Sequence, residues 1–285
     1  MNIVEAKQTI QTKLKNQYEL IEINAIIDLI FEEVLNLSKL DILTNGDKKI
    51  SESDKRLLEA IVERLRKNEP IQYILGSTEF YNIQVKVNSS TLIPRQETEE
   101  LVDWIIKNNK ITAPKILDIG TGSGCIPISL SKNIKNAEVW SFDISLEALK
   151  TAQENSKWNK VEVNFRQVDI LNYKNYNLQN KYDIIVSNPP YVCEKERKLM
   201  QKNVLDYEPE TALFVDDYNP LVFYRTICEY AQEKLNTNGI LYFEINEAYG
   251  VEMIELLEEF GFEDIELKKD LNNKHRMIKG VRADG

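Results

Sequence analysis

The sequence predicts an α/β domain with a mostly parallel sheet, entered from a small N-terminal helical bundle through a β-hairpin linker. Three observations carry that expectation. Apolar residues recur at helical spacing over the first 75 residues, the period shifts to two between about 73 and 94, and from Lys115 strand-like and helix-like runs alternate.

Residues 1–75 hold almost no Gly or Pro, and Ile21, Ile23, Ile26, Ile27, Leu29, Ile30, Val34 and Leu35 follow a helical period. A second amphipathic run, from about Ser53 to Lys67, carries Leu57, Leu58, Ile61, Val62 and Leu65 and stops before Pro70, which disfavours helix in the residue ahead of it. In the linker, 76–94, Ile83, Val85 and Val87 alternate with Asn82, Gln84 and Lys86, the pattern of a half-buried strand or hairpin. The third domain, 95–285, contains KILDI, a Gly-rich turn, CIPISLSKNI, AEVWSFDI, SLEALKTAQENSKW, VEVNFRQVDI and YDIIVSNPPY in order. A helix at about 220–236, the strand GILYFEI, a helix at about 250–260, and the runs FEDIELKK and HRMIKGVR complete it, the last two pairing as a hairpin through Asn272 and Asn273.

Composition narrows the function classes. The chain has 285 residues, a formal net charge of −10 and a pI near 5.0, which argues against holding duplex DNA by neutralising many phosphates. Cys125, Cys193 and Cys228 match neither a disulfide framework nor a zinc knuckle. With no leader-like segment and no long uncharged apolar run, the expected location is the cytoplasm, with no membrane contact. A single histidine, His275, removes mechanisms built on a His base or several His metal ligands, and no metal site is expected.

Asp118-Ile119-Gly120-Thr121-Gly122-Ser123-Gly124 lies at a strand's carboxyl end and opens a helix, where an open α/β sheet accepts a nucleotide-type ligand. Its GxGxG spacing is not the GxGxxG of a dinucleotide site, and an ordinary tight turn is the alternative. Asp143 ends the next strand, 19 residues beyond Gly124, where an acceptor-only carboxylate suits the two hydroxyls of an adenosine ribose; it could instead cap the following helix. Asp169 ends a third strand and either reaches an adenine amino group or serves a turn.

Asn188-Pro189-Pro190-Tyr191 follows the strand YDIIVS and so faces the same crevice. Two consecutive prolines each fix φ and remove a backbone donor, so the Pro189 carbonyl can stand as a rigid acceptor beside the Asn188 side chain. Two acceptors hold one planar NH₂ so that its nitrogen lone pair is presented to an electrophile; positioning replaces a strong base. Tyr191 could pack its ring over the planar group.

The set DIGTGSG, FDIS and NPPY resembles class I (Rossmann-like) S-adenosylmethionine-dependent methyltransferases that act on planar nitrogen. Pro70-Ile71-Gln72-Tyr73-Ile74-Leu75-Gly76, Leu92-Ile93-Pro94-Arg95-Gln96-Glu97-Thr98-Glu99 and Tyr207-Glu208-Pro209-Glu210-Thr211-Ala212-Leu213 narrow the resemblance to the HemK/PrmC family of release factor glutamine methyltransferases, over about residues 53–282. The family usually has a second Pro at Gln96 and a Gly-rich turn near Asp216-Asp217. The resemblance implies N5-methylation of the glutamine in the Gly-Gly-Gln loop of peptide chain release factors, with S-adenosyl-L-homocysteine as product. It implies cofactor contacts at Gly120, Thr121, Gly122, Ser123, Gly124, Asp143 and Asn188 and substrate contacts at Asn188, Pro189, Pro190 and Tyr191; Asn188, Pro189 and Tyr191 are the expected catalytic residues, and Asp169 joins the cofactor set on its strand-end position alone. The bundle would dock the release factor or only stabilise the catalytic domain; a monomer without stable nucleic-acid binding is expected.

Arg95 and Glu99 read as cofactor-mouth residues or as partners in an interdomain ion pair, and Glu244 as a crevice residue or a strand cap. The competing enzyme is an adenine-N6 methyltransferase acting on DNA or RNA, which would need a basic groove. The competing non-enzyme is a module that binds adenosylmethionine or release factor without turnover.

Overall fold

The computed structural model describes residues 1–283, which group into two compact units. The first comprises Met1–Gly76 and Gln201–Tyr207, the second Ser77–Met200 and the chain from Glu208 on.

In the first unit α1 (Ile3–Leu14) begins with a capping box in which Asn2 and Glu5 satisfy each other's backbone N–H groups. Helix α2 (Leu20–Leu35) ends on Asn36 in the left-handed conformation, and α3 (Lys39–Thr44) and α4 (Glu52–Leu65) start from Ser38 and Ser51 caps. Ile10, Leu14, Ile23, Ile27, Ile30, Phe31, Leu58 and Leu65 form the core. Pro70 does not end the helical region, because it sits ahead of a further turn, α5 (Ile71–Leu75), which Gly76 closes at φ +79°. The run in α2 is wider than its buried stripe: Ile21 is 87% exposed and Leu20 61%. Gln201–Tyr207 groups here, although the sequence reading places it inside the third domain; the Tyr207 hydroxyl donates to the Lys67 carbonyl at 3.0 Å, a pairing across 140 positions that no local pattern announces.

The second unit opens with β1 (Ser77–Phe80) and β2 (Ile83–Lys86), an antiparallel hairpin turned by Tyr81 and Asn82, both at positive φ. The chain continues through α6 (Gln96–Asn108), β3 (Lys115–Ile119), α7 (Cys125–Asn133), β4 (Glu138–Asp143), α8 (Leu146–Asn159), β5 (Asn164–Gln167), β6 (Tyr182–Ser187) and the short β7 (Val192–Cys193). After α9 (Lys202–Tyr207), which belongs to the first unit, come β8 (Phe214–Val215), α10 (Val222–Lys234), β9 (Leu235–Glu244), α11 (Gly250–Glu259), β10 (Phe262–Lys269) and β11 (His275–Arg282).

Seven strands form one sheet in the order β10-β11-β9-β6-β3-β4-β5. The β9–β6–β3–β4–β5 portion is parallel and the β10–β11 hairpin adds antiparallel to β9, with Asn273 at φ +63° in its turn. The central parallel strands β3 and β6 are buried along almost their whole length, as strands covered on both faces are, whereas the edge strand β5 has no buried residue. Leu117, Ile185 and Leu241 are fully buried, each contributing about 1.5–3 kcal/mol through area removed from water. From β3 the chain winds outward through β4 and β5, then returns to β6 on the other side of β3. The carboxyl ends of β3 and β6 therefore flank a topological switch point, where such sheets form a crevice.

Candidate active site

The loop after β3 is shaped by three glycines at positive φ: Gly120 at +81°, Gly122 at +53° and Gly124 at +83°. A Cβ on Gly124 would lie 2.9 Å from the Ala152 Cβ, so the close approach of α7 to α8 requires glycine. Gly120 and Thr121 donate backbone N–H bonds to the Phe142 carbonyl at 2.9 and 3.1 Å, which moors the loop to the end of β4. The next residue, Asp143, accepts from Gly122 N at 2.8 Å and from Ser145 N at 2.8 Å. Ser145, not Asp143, caps α8. Burial raises the Asp143 pKa while these backbone bonds oppose the shift.

Under the loop, buried Asp118 accepts from the Ser141 hydroxyl at 3.0 Å, and desolvation lifts its pKa to about 7. Asn155 of α8, fully buried, donates to the Ser123 and Lys86 carbonyls at 2.9 and 3.0 Å and accepts from Lys86 N at 2.7 Å. One amide thus ties the glycine loop to the β-hairpin.

At the end of β6, the Ser187 hydroxyl donates to the Ile119 carbonyl at 2.7 Å and pins the two strand ends together. Asn188 follows, and its Nδ2 donates to Thr98 Oγ1 of α6 at 3.2 Å. The Thr98 hydroxyl donates to Glu244 Oε2 at 2.6 Å, and the Tyr191 hydroxyl donates to Glu244 Oε1 at 3.0 Å. Burial raises the pKa of Glu244, which the Arg276 charge opposes, and keeps Tyr191 protonated as a donor.

The IPRQET and YEPETAL segments meet at Glu208, whose buried carboxylate takes Arg95 Nη2 at 2.6 Å and Ile93 N at 3.1 Å. Arg95 therefore has a partner within its own unit. Glu99 accepts from Tyr81 N at 2.8 Å and serves the hairpin turn, not the cavity.

A cavity of about 570 Å³ lies over the switch point. Gly120, Thr121, Gly122, Ser123, Asp143, Asp169, Asn188, Pro189 and Pro190 all line it, beside Arg95, Thr98 and Phe214. Gly124 does not; its place is the packing of α7 on α8. Tyr191 also lies outside it, on a side cavity of about 50 Å³ that shares Leu92, Arg95, Asn188, Pro189 and Ala212 with the larger one and adds Glu244. Asp169 lines the cavity, but its oxygens accept from Leu171 N at 3.0 Å and Asn172 Nδ2 at 2.7 Å, the geometry of a strand-end cap. His275 begins β11 and takes no part.

The arrangement pairs an acceptor end, Asp143, with an amide end, Asn188, across one small-molecule-sized space. Cys125 lines the cavity too, but burial pushes its thiol to about 12, which removes it as a nucleophile near neutrality. Among the described residues no group of three or more His, Cys, Asp or Glu could hold a metal ion, and no helix is long and apolar enough to cross a membrane.

Two family models match the chain: the PrmC N-terminal domain over residues 5–76 and the methyltransferase small domain over residues 94–207. Over 262 residues the chain is 49% identical to the release factor glutamine methyltransferase of Flavobacterium psychrophilum, covering 90% of this chain and 91% of the relative. The enzyme of that name from Bacteroides thetaiotaomicron is 47% identical over 94% of this chain and 96% of the relative. The chain belongs to the release factor glutamine methyltransferase family.

Solved structures agree on the fold of the second unit's kind: a methyltransferase from Pyrococcus furiosus matches 71% of this chain and 90% of its own at TM-score 0.51 and 16% identity. A T. thermophilus 16S rRNA methyltransferase in complex with AdoMet and guanosine matches 72% of this chain and 49% of its own, at the same TM-score and identity. Two departures from the usual pattern of release factor glutamine methyltransferases are absorbed locally. Gln96 occupies the first position of α6, where a proline's missing N–H would be equally harmless. At Asp216 the side chain accepts from Tyr218 N at 2.8 Å, a turn made by an Asx bond instead of glycine.

Thr98, Asn155 and Glu208 were not singled out as site residues by the sequence. Thr98 and Glu208 sit inside the family segments, but only their partners, 146 and 113 positions away, reveal what they hold.

Proposed function

We propose that this protein methylates the side-chain amide nitrogen of a glutamine in a peptide chain release factor, using S-adenosylmethionine and releasing S-adenosylhomocysteine. The observation that carries the reading is Asn188: its Nδ2 is committed to Thr98, so its Oδ1 is the atom left to accept from a substrate NH₂ in a cavity shared with Asp143. Membership of the release factor glutamine methyltransferase family supports the choice of glutamine over a nucleobase.

The cavity fits the methyl donor. Gly120 and Gly122 leave open space where side chains would project: nothing lies within 4 Å of a Cβ built on Gly122, and one on Gly120 would stand 3.8 Å from the Asn188 carbonyl. In the proposed site Gly120, Thr121, Gly122 and Ser123 cradle the amino-acid portion and Gly124 holds the loop's closing turn. Asp143 uses its remaining lone pairs for the ribose hydroxyls, and Asp169 rims the adenine side. When bound, S-adenosylmethionine supplies an electrophilic methyl group on a sulfonium.

An amide nitrogen is a weak nucleophile because its lone pair is delocalised into the carbonyl. Asn188 Oδ1 and the Pro189 carbonyl each accept one N–H of the target, which turns the nitrogen toward the methyl carbon and favours loss of a proton as the new N–C bond forms. Pro190 stiffens the loop, and Tyr191 positions it from outside the main cavity through Glu244. This needs neither a metal nor a histidine.

The first unit docks the release factor in this reading, and its exposed Leu20 and Ile21 offer contact area. The protein works as a monomer in the cytoplasm. The test is to incubate the full chain with isotopically labelled S-adenosylmethionine and either a release factor or DNA, and to locate the label by mass spectrometry. Label on one glutamine side chain of the release factor supports the reading; label on adenine supports the nucleic-acid alternative, and no transfer supports a binding module.

A further inference from the structure

Glu244 ends β9, is 1% exposed, and has no direct place on the wall of the main cavity. Its carboxylate nevertheless receives two hydroxyls, Tyr191 on Oε1 and Thr98 on Oε2. Burial raises its pKa, and both hydroxyls together with Arg276, on the adjoining β11 and donating to the Ile245 carbonyl at 3.2 Å, oppose that shift. With one hydroxyl donating to each of its oxygens, the carboxylate serves as an acceptor on both. The Thr98 proton is therefore spent on Glu244, and the Thr98 oxygen can offer Asn188 nothing but lone pairs. Only the NH₂ edge of the Asn188 amide can meet it, as the 3.2 Å contact from Nδ2 records.

We propose that Glu244 and Thr98 are positioning residues that fix the polarity of Asn188, so that the cavity meets a carbonyl oxygen and not an NH₂. The inference rests on the glutamine-methylating reading and deepens it into a specificity rule. With Asn188 Oδ1 and the Pro189 carbonyl both accepting, the site takes a planar primary amide. It rejects the corresponding carboxylate, which brings no N–H donor and would set negative charge against two acceptors. Were the hydroxyl of Thr98 free to turn, the amide could flip, its NH₂ would face the target NH₂, and one of the two grips would be lost. Relay direction runs from carboxylate to hydroxyl to amide, linking β9, α6 and the loop after β6.

The experiment uses the full chain, labelled S-adenosylmethionine and a release factor, and compares wild type with Glu244→Gln, Thr98→Val and Thr98→Ser. Gln at 244 can donate to Thr98 and so permits the reversed relay; Val keeps the shape of Thr without its hydroxyl; Ser keeps the hydroxyl without the methyl. Expected is a fall in kcat of ~30- to 100-fold for Glu244→Gln and Thr98→Val, the scale at which misplacement by about 1 Å acts. S-adenosylmethionine affinity stays within about threefold of wild type, and Thr98→Ser retains most of its turnover. If Glu244→Gln does not fold, the Val and Ser variants decide. Equal impairment of Thr98→Ser and Thr98→Val, unimpaired Glu244→Gln, or parallel loss of cofactor affinity and kcat overturns the relay. A wild-type protein that binds S-adenosylmethionine but transfers no methyl to the release factor overturns instead the functional reading beneath it.

Discussion

The two ends of the cavity are built by different means. At the glycine-loop end the holding donors are mostly main chain: Asp143 accepts from Gly122 N, 21 positions away, and from Ser145 N, two away, and the loop donates to the Phe142 carbonyl. At the NPPY end, Asn188 and Tyr191 are held by side chains 90 and 53 positions distant, and Thr98 reaches Glu244 across 146. A binding end made of backbone tolerates side-chain change, since backbone donors remain when a side chain is altered. A reacting end made of side-chain hydrogen bonds depends on each member, because a missing partner leaves a buried polar group unpaired.

That contrast is sharpest for Asn188→Ala. The substitution removes the acceptor from the reacting end and is expected to lower kcat by ~10²- to 10³-fold, the range for losing one directed hydrogen bond to a transition state. Calorimetry should find S-adenosylmethionine affinity nearly unchanged. Parallel loss of both would erase the division of labour between the ends.

Asp143→Asn tests the binding end. It is expected to weaken S-adenosylmethionine about 10- to 100-fold, the equivalent of a charge-assisted hydrogen bond of about 1.5–3 kcal/mol. Burial raises the Asp143 pKa, and the ionised form is the one that accepts ribose hydroxyls. Affinity therefore falls as pH drops through that raised value, at a higher pH than an exposed aspartate would set, and Asp143→Asn removes this acid limb. Binding titrations across mildly acidic pH check the sign; affinity that rises toward acid would contradict it.

How much of this was legible in the sequence follows the same division. The glycine loop, Asp143 and Asn188-Pro189-Pro190 could be read because turn chemistry, strand ends and short spacings are local, and all but Gly124 of the residues read there line one cavity. The sheet, its antiparallel closing hairpin and the helical bundle were legible from periodicity. Thr98, Asn155 and Glu208 were not, because each acts through a partner brought near only by folding. Tyr191 was read as facing the substrate, but its hydroxyl is drawn to buried Glu244, a direction no spacing encodes. The excursion of Gln201–Tyr207 into the first unit was hidden for the same reason.

Smaller effects refine the picture. Gly124→Ala places a methyl group 2.9 Å from Ala152 at φ +83°, and should destabilise the fold by about 2 kcal/mol, seen as a lowered Tm. An unchanged Tm would mean that α7 and α8 can part at little cost. Least of all, Asp169→Asn should change S-adenosylmethionine affinity by no more than about threefold, because both its oxygens already serve Leu171 and Asn172. A loss as large as that of Asp143→Asn would make Asp169 a principal ligand and move the adenine subsite.

The most direct measurement is a crystal structure of the chain with S-adenosylhomocysteine and a release factor. The account predicts the glutamine nitrogen within about 3 Å of both Asn188 Oδ1 and the Pro189 carbonyl, facing the sulfur, with Asn188 Nδ2 still on Thr98. A glutamine seated elsewhere, or Asn188 turned with its NH₂ into the cavity, would contradict it.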